Sequence, residues 1–169
     1  MAMRVYQHDG VLTKKQCDAI IKASGFSKQT NIPDNQIYNI DFYNAQQGPE
    51  GTAFAPLVAA FDKYHQEYNP ALKRTIFAVM EYVDGEGKIV RHQDSNDPDP
   101  EVPRTNYTLM VYLNDGFEEG ETVFFEGEEE LTIVPKTGTL LIIPGDIEHE
   151  ARMPKGKNKY VSIARYVVA

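Results

Sequence analysis

The chain has 169 residues, 41% of them hydrophobic and 25% charged, which suits one domain (residues 1–169) with a substantial core. Its formal net charge is −8, with acid concentrated in Glu118 to Glu121 and Glu126 to Glu130 and no compensating basic stripe, which argues against nucleic acid as a partner. The lone Cys17 excludes an intrachain disulfide, and no apolar run has the length of a signal peptide or membrane span, so a cytoplasmic protein without a membrane partner is expected.

In chain order, Met3 to Tyr6 suits a short strand, and His8 in the loop after it reads as a solvated side chain. Thr13-Lys14-Lys15-Gln16 has the form of a capping box, so a helix is expected to follow, burying Cys17, Ile20 and Ile21 and stopping at Gly25. Ser27 to Thr52 is polar and irregular, with one strand suggested by Ile37, Ile40 and Phe42. Leu57, Phe61, Tyr64 and Tyr68 recur at helical spacing, which predicts a second helix ended by Asn69-Pro70, with His65 on its surface.

From Thr75 the period becomes alternating. Ile76, Ala78, Met80 and Tyr82 share a face, Asp84 to Gly87 turns the chain, and Lys88 to Asp94 returns. Ser95 to Pro103, rich in proline and acid, must be a loop beside whatever Asp94 does. Further strands are predicted over Thr108–Asn114, Glu121–Phe125, Leu131–Val134, Thr139–Ile143, Glu148–Arg152 and Lys159–Val168. Helical support over roughly residues 1–74 and strands over 75–169 point to an α+β domain. Its expected form is a double-stranded β-helix (jelly roll) with N-terminal helices packed outside.

His92 and Asp94, two apart on a strand, point the same way, and in a jelly roll His149 can reach them from a distant strand. Two histidines and one carboxylate form the facial triad that holds a ferrous ion and leaves three positions open. The bland alternative for His92 and Asp94 is an ordinary surface pair. Lys159 shares a strand face with Val161, Ile163 and Arg165. If that face looks inward, a buried ammonium is relieved by an anionic ligand; otherwise Lys159 is a surface lysine beside Lys155 and Lys157.

Several stretches occur together and in order: Tyr82 to Gly87, Arg91-His92-Gln93-Asp94, Thr108 to Asp115, Glu119 to Phe124, Pro135 to Gly138, His149, and Lys159 to Ser162. Over its C-terminal half the chain thereby resembles the iron(II)- and 2-oxoglutarate-dependent dioxygenases, in particular their prolyl 4-hydroxylase-like branch. The resemblance implies that His92, Asp94 and His149 bind iron(II). It implies that Lys159 pairs with the C5 carboxylate of 2-oxoglutarate, that Tyr112 supports the same carboxylate, and that Tyr82 lines the pocket. For both tyrosines, core packing is the alternative. The implied reaction uses O2, with ascorbate a candidate reductant, and releases succinate and CO2 while an unactivated C–H bond is hydroxylated. Related halogenases lack the carboxylate, so Asp94 favours hydroxylation. The leading substrate is a prolyl residue in a protein or peptide; free proline, another amino acid or a small molecule is the alternative, and a non-catalytic metal-binding jelly roll is a third reading. Arg104 is a candidate substrate contact or a plain surface arginine.

Overall fold

Thr13 and Gln16 cap each other: the Gln16 amide donates to Thr13 Oγ1 (3.1 Å) and the Thr13 amide donates to Gln16 Oε1 (2.9 Å). Helix α1 (Lys14–Ala23) starts there, in a computed structural model that describes residues 3–28, 36–96 and 99–168. Cys17 and Ile20 are buried as expected, and Ile21 partly so. Gly25 does not stop the helix. Ser24 does, in an extended conformation (φ −77°, ψ 141°), its amide and its hydroxyl both donating to the Ile20 carbonyl. The Gly25 amide instead donates to Asp41 Oδ2 (2.8 Å), so no left-handed residue is needed to satisfy the helix end.

Helix α2 (Ala55–Tyr68) carries Pro56 in its first turn, where a missing N–H costs nothing, and fully buries Leu57 and Phe61. Tyr68 is 42% exposed, its ring meeting Tyr107 edge-on at 4.6 Å between centroids. His65 is tied inward: Nε2 donates to the Leu72 carbonyl (2.7 Å) and the ring lies 4.5 Å from that of Tyr166.

The strands are β1 (Tyr6–His8), β2 (Ser27–Lys28), β3 (Gln36–Ile37), β4 (Asn39–Phe42), β5 (Leu72–Tyr82), β6 (Lys88–Gln93) and β7 (Tyr107–Tyr112). They continue as β8 (Glu118–Glu119), β9 (Thr122–Glu126), β10 (Glu129–Ile133), β11 (Leu140–Pro144), β12 (Glu148–Ala151), β13 (Pro154–Lys155) and β14 (Lys159–Val168). Among the described residues they form a seven-stranded sheet in the order β1-β11-β7-β14-β5-β4-β2, a five-stranded sheet in the order β10-β9-β12-β6-β3, and the small pair β13-β8. The fold is a jelly roll with helices on the outer face of the larger sheet.

The first strand lies at Tyr6–His8 rather than Met3 to Tyr6, because there it can pair with the β11 edge. His8 is exposed, with its ring 4.7 Å from Tyr64. The single strand expected from Ile37, Ile40 and Phe42 is two: β3 pairs with β6 and β4 with β5, so the chain changes sheets around Tyr38. Such a corner interrupts the ladder.

Alternation on β5 divides the core into two layers. Phe77 and Val79 face Cys17, Ile20, Leu57 and Phe61 of the helices. Ala78, Met80 and Tyr82 face the space between the sheets, with Tyr112, Phe124, Ile143 and Val161. The acidic run from Glu126 to Glu130 forms the β9–β10 hairpin and its exposed tip.

Candidate active site

Between the sheets lies a cavity of about 430 Å³. One wall is the inward face of β14, where Lys159, Val161, Ile163 and Arg165 follow one another at every second residue; Ile76, Met80 and Tyr82 of β5 continue it. The opposite wall carries His92 and His149. Of the predicted loop Ser95 to Pro103, Asp97 and Pro98 lie outside the described residues, and Asn96 lines the cavity.

The histidines meet because β6 and β12 pair with His92 directly opposite His149, leaving ring centroids 4.4 Å apart. Asp94 sits one residue beyond β6, in a turn rather than on the strand. That turn is fastened where the Ser95 amide donates to the Gly145 carbonyl (2.8 Å), just ahead of β12. Thr108 Oγ1 donates to Asp94 Oδ2 (2.7 Å), and Asp94 Oδ1 lies 3.3 Å from His92 Nε2 and 3.6 Å from His149 Nε2.

The three side chains offer ligand atoms within 4.8 Å of one another and could hold a metal ion. Their hydrogen bonds orient them for that use. His92 Nδ1 lies 2.7 Å from the Val90 carbonyl and His149 Nδ1 lies 3.2 Å from that of Ile147. A carbonyl only accepts, so each Nδ1 carries a proton and each Nε2, the nitrogen facing Asp94, is the atom left to ligate. Burial lowers the His92 pKa, but the adjacent Asp94 carboxylate more than offsets it, so a metal ion there displaces a proton held toward Asp94. Burial disfavours the Asp94 carboxylate, but His149, Arg165 and His92 outweigh it and hold the group well below the usual carboxylate range. Burial pushes His149 down, toward the neutral form a ligand needs. Two imidazoles and one carboxylate are the donor set of a ferrous centre with open positions.

Lys159 is 1% exposed. Its Nζ donates to the carbonyls of Gly120 (3.0 Å) and Arg152 (3.2 Å) and stands 4.5 Å from the Tyr82 ring centroid. Burial lowers its pKa to about 7, with Glu121 opposing weakly. Tyr82 lines the cavity beside it. Tyr112 does not: it is fully buried, and its hydroxyl is bonded to Thr122 Oγ1 (2.5 Å), so Thr122 is the side chain of the two that reaches the cavity. Arg104 is exposed and is not part of the lining. Sequence reasoning passed over Thr108, Thr122 and Arg165; for Arg165 a signal existed, since alternation already placed it on the Lys159 face.

Comparison with known proteins bears on the fold and the family. No curated protein sequence matches the chain. Among solved structures, a viral collagen prolyl hydroxylase from Paramecium Bursaria Chlorella virus-1, in a 2OG complex, superposes with a TM-score of 0.76 at 20% identity, covering 99% of this chain and 98% of that one. A Pseudomonas putida prolyl-4-hydroxylase gives 0.76 at 18% identity over 98% and 92%. A Trichoplax adhaerens prolyl hydroxylase, in complex with a hypoxia inducible factor peptide fragment, gives 0.79 at 16% identity over 97% and 83%. Residues 77–168 match the family model of the 2OG-Fe(II) oxygenase superfamily, more than half of the sequence, and the chain therefore belongs to that family, whose cofactors are iron(II) and 2-oxoglutarate.

Proposed function

We propose that the chain, as a single catalytic domain, hydroxylates a prolyl residue in a protein or peptide, coupled to conversion of 2-oxoglutarate to succinate and CO2. The observation that carries the reading is the pairing of a three-ligand centre with a buried ammonium along one cavity, the arrangement a short dianionic co-substrate needs. His92, Asp94 and His149 hold the iron, which when bound supplies the activation of O2 that breaks an unactivated C–H bond. Lys159 grips the C5 carboxylate, relieving the desolvation that depresses its own pKa. Thr122, backed by Tyr112, gives that carboxylate a second contact, and Tyr82 closes the pocket beside it. Thr108 occupies one oxygen of Asp94 so that the other stays aimed at the histidines.

The prolyl substrate is supported by fold likeness to prolyl hydroxylases, one of them complexed with a peptide. A cytoplasmic setting fits a single, buried cysteine. The test supplies iron(II), ascorbate and 2-oxoglutarate with a panel of proline-containing peptides, following succinate and the mass gain of one oxygen. Asp94→Ala is expected to abolish succinate formation and iron binding together. Succinate released at the wild-type rate by Asp94→Ala removes Asp94 from the centre; a wild-type protein that makes none is a binding module instead.

A further inference from the structure

Arg165 is the cavity's second cation, and the co-substrate reading leaves it unused. It stands on the same β14 face as Lys159 but six residues further on, about 20 Å along the strand at ~3.3 Å per residue. The two cations thus mark opposite ends of this wall. Arg165 lies beside Thr108 and across from Ile76, reaches the metal trio at Asp94, and has its side chain 30% exposed.

Its guanidinium is incompletely paired. One terminal nitrogen lies 3.4 Å from Asp94 Oδ1, a long contact to the oxygen that the two histidines also approach. Its Nε is buried and has no hydrogen-bond partner among the described residues. A desolvated donor on a charged group costs free energy until an acceptor arrives. The terminal nitrogens, on the exposed part of the side chain, make a planar fork that matches both oxygens of a carboxylate, whereas an amide carbonyl fills one prong. The charge of the lining points the same way: among the described residues Lys159 and Arg165 face a single carboxylate, Asp94, in a protein whose net charge is −8.

We infer that Arg165 is a substrate-recognition residue, and that the substrate carries a carboxylate next to the carbon being oxidised. This inference rests on the oxygenase reading, in which Lys159 is reserved for 2-oxoglutarate. The carboxylate has two possible sources, the free C-terminus of the target residue or an acidic side chain on its neighbour.

The experiment measures binding by calorimetry to protein loaded with iron(II) and 2-oxoglutarate under argon, so that no turnover intervenes. One arm compares N-acetylproline with N-acetylprolinamide, and the same acid and amide pairs built on valine and leucine. The other compares prolyl-glutamate amide with prolyl-glutamine amide. In at least one pair the acid is expected to bind roughly 10- to 100-fold more tightly than its neutral counterpart. That preference is expected to vanish in Arg165→Gln and to return in part in Arg165→Lys, each variant first checked for a wild-type unfolding transition. The arm that shows the preference identifies the source. Absence of an acid preference in every pair, including absence of binding, overturns the inference, as does a preference that survives in Arg165→Gln. A preference confined to the valine and leucine pairs keeps Arg165 in its role and removes the prolyl substrate, so the two readings fail separately.

Discussion

Lys159 keeps an ammonium group where water cannot reach it, and the consequences for stability and for binding have opposite signs. Its pKa is about 7 in the fold against 10.5 ordinarily, so between those values the unfolded chain holds a proton that the native chain has released. Stability therefore rises with pH across that window, and below about pH 7 the fold carries the full cost of a buried charge. Lys159→Met is expected to raise the unfolding midpoint most near pH 6 and progressively less toward pH 10, with the carbonyls of Gly120 and Arg152, deprived of their donor, offsetting part of the gain. The same variant should lose affinity for 2-oxoglutarate. In the wild type that affinity is expected to be flat below pH 7 and to fall above it, by up to about tenfold per pH unit, because the anion selects the charged amine. Isothermal titration across that range decides the matter; a flat profile takes the lysine out of the anion site.

At the scale of elements, the centre depends on two turns locked together. The Gly145 amide donates to the Asn106 carbonyl and the Gly145 carbonyl accepts from Ser95, so the turn bearing Asp94 and the entry to β12 move as one. A Cβ at Gly145 meets the Thr105 carbonyl oxygen at 1.8 Å, a clash with backbone that no rotamer relieves. Gly145→Ala is expected to destabilise the fold by more than about 2 kcal/mol and, in protein that still folds, to weaken metal binding, measured by denaturation and by metal titration. Wild-type metal affinity would uncouple the turns from the centre. The hydrogen bonds that lock these two turns together were not legible beforehand. The sequence did show α1, α2 and β14 with their bounds nearly right, because a capping box, a helical stripe and a ten-residue alternation are local signals. It did not show β8 and β13, two residues each and laddered to one another, nor the change of sheet around Tyr38, which only tertiary pairing decides. His92, Asp94, His149 and Lys159 could be singled out by spacing and resemblance. Thr108, which holds Asp94, and Thr122, which reaches the cavity in front of Tyr112, could not, since a threonine in a strand looks like any other.

Across the whole molecule, the two core layers separate stability from chemistry. The helices press on one side of the large sheet and the cavity opens on the other, so Phe61, fully buried and 5.1 Å from the Phe77 ring, is remote from every cavity-lining residue except through the sheet itself. Phe61→Ala is expected to cost about 3–5 kcal/mol in denaturant unfolding while the folded fraction binds metal with wild-type affinity. A parallel loss of metal affinity would mean that the sheet transmits strain between its faces.

The direct pairing of His92 with His149 has one more result. A one-residue slip between β6 and β12 would turn one imidazole away from the other, so an ion gripping both acts as a rivet that fixes how the two strands are aligned. Backbone amides of Ile89, Arg91 and Glu150 should accordingly exchange with deuterated solvent more slowly once the protein is charged with metal; equal exchange would show that the alignment is maintained by the neighbouring strands alone.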